Sequence, residues 1–208
     1  MIPRIKVSAL ALLAIAATGA VSAGAAQAGE FTAEKYPATG TGTQLSAHAF
    51  NFEGTTITCQ TATFHGELPE AASELTVDAE YGECKANNGK AAVVEMTSCD
   101  YTLHATETLA MDKVDGFAEI ECGSEDHIDF VIPSSGCKFE ADPQTLGNWV
   151  YTDNTAAKDF DIDIASNGML FRRNSKCPGG EGMGFAKYTG KMTIKADFEG
   201  AEIGTTVD

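Results

Sequence analysis

Beyond its first 28 residues the chain has no apolar run long enough to stay in a membrane. It has no C-x-x-C pair, which argues against a zinc knuckle or a redox dithiol. The histidines His48, His65, His104 and His127 show neither H-E-x-x-H nor H-x-H spacing, so no zinc-hydrolase motif is present. No G-x-S-x-G elbow marks a serine nucleophile, and Ser134-Ser135-Gly136 reads as a loop after Pro133. Helical periodicity is nearly missing, which argues against bundles and doubly wound folds. Basic residues are scarce, with 14 Lys and Arg against 30 Asp and Glu. A surface of that sign repels phosphates and anionic headgroups, which makes nucleic acid and lipid surfaces poor partners.

What is present begins with the leader. Met1–Ala28 carries Arg4 and Lys6, an apolar stretch from Val7 to Ala17, and Ala26-Gln27-Ala28 as a small-residue cleavage site. Export to the extracellular space or the cell envelope follows as the expected localisation, with no membrane span once the leader is cut. Removing Arg4 and Lys6 leaves 12 basic residues against 30 acidic, a formal charge of −18 on Gly29–Asp208. All six cysteines lie in that mature segment: Cys59, Cys84, Cys99, Cys122, Cys137 and Cys177. In an oxidising compartment an even set of this kind reads as a disulfide framework. Six cysteines allow fifteen connectivities. Treating consecutive strands as hairpins selects Cys59–Cys84, Cys99–Cys122 and Cys137–Cys177.

Short alternations of apolar and polar residues dominate the mature segment. In Lys187–Phe198 one face carries Tyr188, Met192, Ile194, Ala196 and Phe198 and the other carries Lys187, Thr189, Lys191, Thr193, Lys195 and Asp197. Asp159–Ile164 sets Phe160, Ile162 and Ile164 against Asp159, Asp161 and Asp163. Further strands are expected at Gln44–Phe52, Thr55–His65, Glu74–Tyr81, Ala91–Thr97, Cys99–Thr106, Val114–Cys122, His127–Ile132, Trp149–Thr152 and Met169–Arg172. Glu53-Gly54, Asn87-Asn88-Gly89, Asp115-Gly116 and Asn167-Gly168 supply turn chemistry. Only Thr106–Lys113 has helix-favouring composition. The fold expected is all-β: one disulfide-stapled domain over 29–208, an antiparallel β-sandwich or flattened barrel with a two-lobed tendency. The basic row Lys187, Lys191, Lys195 would either meet the acidic row Asp159, Asp161, Asp163 across neighbouring strands or protect an edge.

The segment "FTAEKYPAT" from Phe31, then Cys59-x-x-Ala62-x-Phe64-x-Gly66, Tyr81-x-x-Cys84, Ser98-Cys99-x-Tyr101 and Tyr188-x-Gly190 resembles an uncharacterised family of exported, cysteine-containing β-proteins of high-GC Gram-positive bacteria. That resemblance implies an exported, disulfide-bonded β-protein and transfers no catalytic residue.

Chemistry-bearing motifs are few. Asp159-x-Asp161-x-Asp163 has calcium-loop spacing, but Ile164 and Leu170 stand where such a loop needs Gly and Glu, so a strand face is the better reading. Gly179–Gly184 lacks the helix and the Lys-Ser/Thr of a phosphate loop. No catalytic residue, metal ligand or cofactor is implied. Trp149 and Tyr151 share a strand face and are the candidate binding aromatics for a glycan or protein ligand, set against the plainer reading that they are core. The expected role is a non-enzymatic exported binding or structural component. The alternative is an extracellular hydrolase whose site is assembled only in space.

Overall fold

The computed structural model describes residues 29–208, and every regular element in that span is a strand. The expected leader, Met1–Ala28, lies outside the described residues. Alternation accounts for most elements: along most strands every second residue is apolar and buried, with Met183 and Phe185 on the outward face as exceptions.

The chain begins with β1 (Phe31–Ala33) and the long β2 (Ala38–Phe52), followed by β3 (Thr55–Cys59), β4 (Thr61–Leu68) and β5 (Glu74–Gly82). Two short strands, β6 (Lys85–Ala86) and β7 (Val93–Glu95), precede the hairpin of β8 (Cys99–Ala110) and β9 (Lys113–Cys122). A second hairpin, β10 (Ile128–Ile132) and β11 (Cys137–Ala141), leads to β12 (Gln144–Asn154) and the two longest neighbours, β13 (Asp159–Arg173) and β14 (Gly182–Phe198). Finally β15 (Ala201–Ile203) and β16 (Thr205–Val207) complete the chain.

Eight of these strands close an antiparallel barrel in the order β14-β2-β4-β5-β8-β9-β12-β13, with β13 pairing back onto β14. Closure removes the exposed edges an open sheet would leave. A separate two-stranded sheet, β1 with β16, packs Phe31 into one end of the barrel, edge-on to Tyr151 at 5.3 Å between ring centroids. At the other end β2, β13 and β14 overrun the barrel and carry an annex. There β3 pairs with β2 and β6 with β3, while β11 pairs with β13, β10 with β11 and β7 with β10. The annex curls towards itself, since Ala91 bridges Lys85.

Barrels of eight strands enclose just enough space for side chains. Here aromatic rings fill it. Trp149, Tyr101, Tyr151 and Tyr188 are fully buried in the barrel, and Phe52, Phe130, Phe139 and Phe171 form the annex core. All three disulfides close as the hairpin reasoning expects: Cys59–Cys84, Cys99–Cys122 and Cys137–Cys177. Cys99 and Cys122 are direct cross-strand partners.

Four local expectations need correction. Asp115-Gly116 is not a turn: both residues lie inside β9, paired with Val150 and Trp149 of β12. Thr106–Lys113 is not helical: it forms the end of β8, a turn and the first residue of β9, because pairing to β9 overrides its propensity. Asn167-Gly168 is not a hairpin turn but a bulge inside β13, where the register against β14 shifts between Asn167 and Met169. The expected strand Thr55–His65 is broken at Gln60 into β3 and β4, so that β2 pairs with both halves. The charged rows meet only in part. Lys191 lies opposite Asp163 and reaches Asp161 and Asp163 at 3.3 and 3.4 Å, but Lys195 pairs with Glu202 and Lys187 faces Asn167. Edge protection does not apply, because β14 lies between β13 and β2.

Candidate functional site

Trp149 and Tyr151 point into the barrel and are 0% exposed. Trp149 Nε1 donates to Ser166 Oγ at 2.9 Å, and Ser166 Oγ donates to the Gly147 carbonyl at 2.7 Å. Burial of the ring with its one donor satisfied is what a core tryptophan needs. Neither aromatic can present a stacking face to a ligand, so the core reading replaces the binding one.

Near the middle of the barrel a polar thread runs through the aromatics. His48 Nδ1 and Tyr188 Oη are 2.8 Å apart, Tyr188 Oη lies 2.8 Å from Tyr81 Oη, and Tyr81 donates to Tyr101 Oη at 3.3 Å. Gly190 makes room for the imidazole, since a Cβ there would lie 2.7 Å from Nδ1. Burial drives the His48 imidazole down to about 4 from its ordinary value, so it is neutral at physiological pH. The same burial pushes the Tyr81, Tyr101 and Tyr188 phenols well above their usual range. Groups held neutral within the barrel specify packing rather than turnover.

The outward face of the annex is different. Cross-strand register sets Glu95, Asp129, Glu140, Arg172 and Met183 in one line across β7, β10, β11, β13 and β14. Lys138 Nζ sits 2.8 Å from Asp129 Oδ2 and 2.9 Å from Glu140 Oε1, and Arg172 reaches Asp142 at 2.7 Å and Glu140 at 3.8 Å. His127 Nε2 lies 3.1 Å from Asp129 Oδ1 and 3.4 Å from Glu140 Oε1. Although partial burial opposes ionisation, hydrogen bonding and attraction from Lys138, with smaller help from His127 and Arg172, hold the Glu140 carboxyl below its usual range. Glu140 is therefore a carboxylate and a poor general acid.

Beside this row lies an open concavity of about 430 Å³, lined by Lys138, Glu140, Arg172, Arg173, Glu181 and Met183 among others. Met183 and, two residues on, Phe185 stand exposed on β14. The result is a mixed-charge depression with an apolar rim, suited to holding a polar ligand by paired hydrogen bonds and one hydrophobic contact.

Sequence reasoning missed this row because it left Cys137–Ala141 unassigned. The signal was present: Cys137, Phe139 and Ala141 alternate with Lys138 and Glu140, and Pro133-Ser134-Ser135-Gly136 is a turn that folds this strand onto β10. His48, His65 and His104 do not join His127. His104 instead stacks on Phe117 at 4.3 Å and lies 3.5 Å from both Glu74 and Glu119.

No known protein family, curated protein or solved structure matches the chain. The fold and disulfides define an all-β, disulfide-stapled barrel with an annex.

Proposed function

We propose that this chain is exported and works outside the cell as a non-enzymatic binding protein, engaging a glycan or protein through the annex concavity. The observation that carries the reading is the filled barrel. With Trp149, Tyr101, Tyr151 and Tyr188 fully buried inside it, contact falls to the outer surface. There the row Asp129, Lys138, Glu140 and Arg172 offers fixed donors and acceptors beside Met183. Three cross-links support the export half of the proposal, since such bridges persist in oxidising compartments. The resemblance to exported cysteine-containing proteins points the same way.

The hydrolase alternative gains one observation, the approach of His127 to Asp129 and Glu140, yet Lys138 neutralises the carboxylates that would do the work. A test screens arrayed glycans and envelope proteins with the oxidised protein, alongside Arg172→Ala and Met183→Ala. Binding that is lost in both variants, with melting temperature retained, supports the proposal. Turnover of ester, amide or glycoside substrates that is abolished by His127→Ala would replace it with the hydrolase. Fractionation and intact mass test export: retention of Met1–Ala28 in a cytosolic product contradicts it.

A further inference from the structure

We infer that His127, Asp129 and Glu140 form a divalent-cation site of the imidazole–carboxylate kind that suits Zn²⁺, with Lys138 as its resident counterion when no metal is bound. This goes beyond the binding role proposed above and does not depend on it.

Geometry carries the inference. One ligand atom from each residue lies within 4.8 Å of the other two. His127 Nε2 stands 3.1 Å from Asp129 Oδ1 and 3.4 Å from Glu140 Oε1. Atoms bound to one zinc at about 2.0–2.2 Å, at octahedral to tetrahedral angles, are separated by about 2.8–3.6 Å. Both contacts match the edges of such a polyhedron. Asp129 Oδ1 is a buried atom that accepts no hydrogen bond, even though Nε2 is within ordinary hydrogen-bond distance. The oxygen therefore lies off the axis along which the ring nitrogen would donate. Off-axis approach is a poor hydrogen bond but is what two ligands of one cation require, each aimed at a third point rather than at the other.

The surroundings fit the charge and the access. Two carboxylates balance a divalent ion, and the neutral imidazole adds a ligand without charge. All three side chains are partly exposed, so an ion can enter and solvent can complete the coordination. Without metal the two carboxylates need a cation, and Lys138 Nζ supplies it at 2.8 and 2.9 Å. Its side chain is a third exposed and its flexible stem can swing away when a metal arrives. Lys138 thus competes with the metal, and this makes the site distinguishable from a surface that collects ions without design.

The test is calorimetric titration of the oxidised, chelator-treated protein with Zn²⁺ at neutral pH. One equivalent is expected to bind. Asp129→Asn and His127→Ala should each weaken binding at least about tenfold, and Lys138→Met should tighten it by about threefold or more. His65→Ala, at an exposed and distant histidine, should change nothing. Thermal melts confirm that each variant is folded, and Lys138→Met remains decisive if a ligand variant unfolds. Absence of a binding isotherm overturns the inference. So does binding that survives His127→Ala, or that falls with Lys138→Met.

Discussion

Replacing Gly190 with Ala tests how tightly the barrel interior is built. Gly190 lies in β14 opposite Ile164, at a shift in the pairing with β2. An added methyl would meet His48 Nδ1 at 2.7 Å and Cε1 and Cγ at 2.8 Å. The ring cannot retreat freely, because Phe64, Tyr81 and Tyr188 surround it with centroids at 5.5, 5.9 and 5.7 Å. Two effects oppose each other. Exchanging Gly for Ala within a strand gains about 0.5–1 kcal/mol from backbone entropy. Overpacking costs about 1–3 kcal/mol, and losing the bond between Nδ1 and Tyr188 Oη adds about 1 kcal/mol. The net expected loss is about 1–3 kcal/mol, a fall in Tm of about 3–10 °C for a domain of this size. Calorimetry at pH 7, where His48 is neutral, measures it. In a His48→Ala background the methyl has space, so the same substitution should be neutral or stabilising, with a coupling of at least about 1 kcal/mol. A Tm that rises in the wild-type background, or an equal loss in both backgrounds, would refute the steric reasoning.

His48 also sets an acid limit. Burial lowers its pKa to about 4, whereas the unfolded chain protonates the imidazole near pH 6.5. The unfolded state therefore takes up a proton that the folded state refuses, so stability falls as pH drops from about 6.5 to about 4, by about 3 kcal/mol in all; urea midpoints for the wild type should show this slope and those for His48→Phe should lack it. Removing the Cys137–Cys177 bridge, whose sequence separation of 40 is the largest of the three, should cost about 4 kcal/mol through the unfolded chain; urea unfolding of the double alanine variant measures it, and an unchanged midpoint would contradict it. Lys191→Met, although it breaks ion pairs to Asp161 and Asp163, should cost under about 1 kcal/mol because the cluster is wet, whereas Trp149→Ala should cost about 3–5 kcal/mol; the same unfolding assay ranks the two.

The parts of the fold legible in the sequence were those governed by local alternation. Lys187–Phe198 and Asp159–Ile164 show their buried faces except at Asp159, which is itself buried, and Phe198, which is half-buried, and hairpin order selected the three disulfides. Closure of the barrel was not legible in detail, because it depends on β13 returning to β14 while β2 serves both the barrel and the annex. Asn167-Gly168 misled for a physical reason: the same dipeptide chemistry serves a turn or a bulge, and only the partner strand decides. Thr106–Lys113 misled because helix propensity is worth less than a strand pairing. The charged row was hidden because Asp129 and Glu140 meet only through cross-strand register. Trp149 and Tyr151 sit on one face as read, but which face is inward was set by packing around Ser166 and Phe31.

The filled barrel is tested most directly by the fluorescence of Trp149, the only tryptophan in the chain. A ring that is 0% exposed and hydrogen-bonded to Ser166 should emit at short wavelength and resist quenching by iodide and acrylamide until the protein unfolds. Red-shifted emission with efficient iodide quenching in the folded, oxidised protein would show an open interior, return Trp149 and Tyr151 to the list of ligand contacts, and contradict recognition at the annex surface.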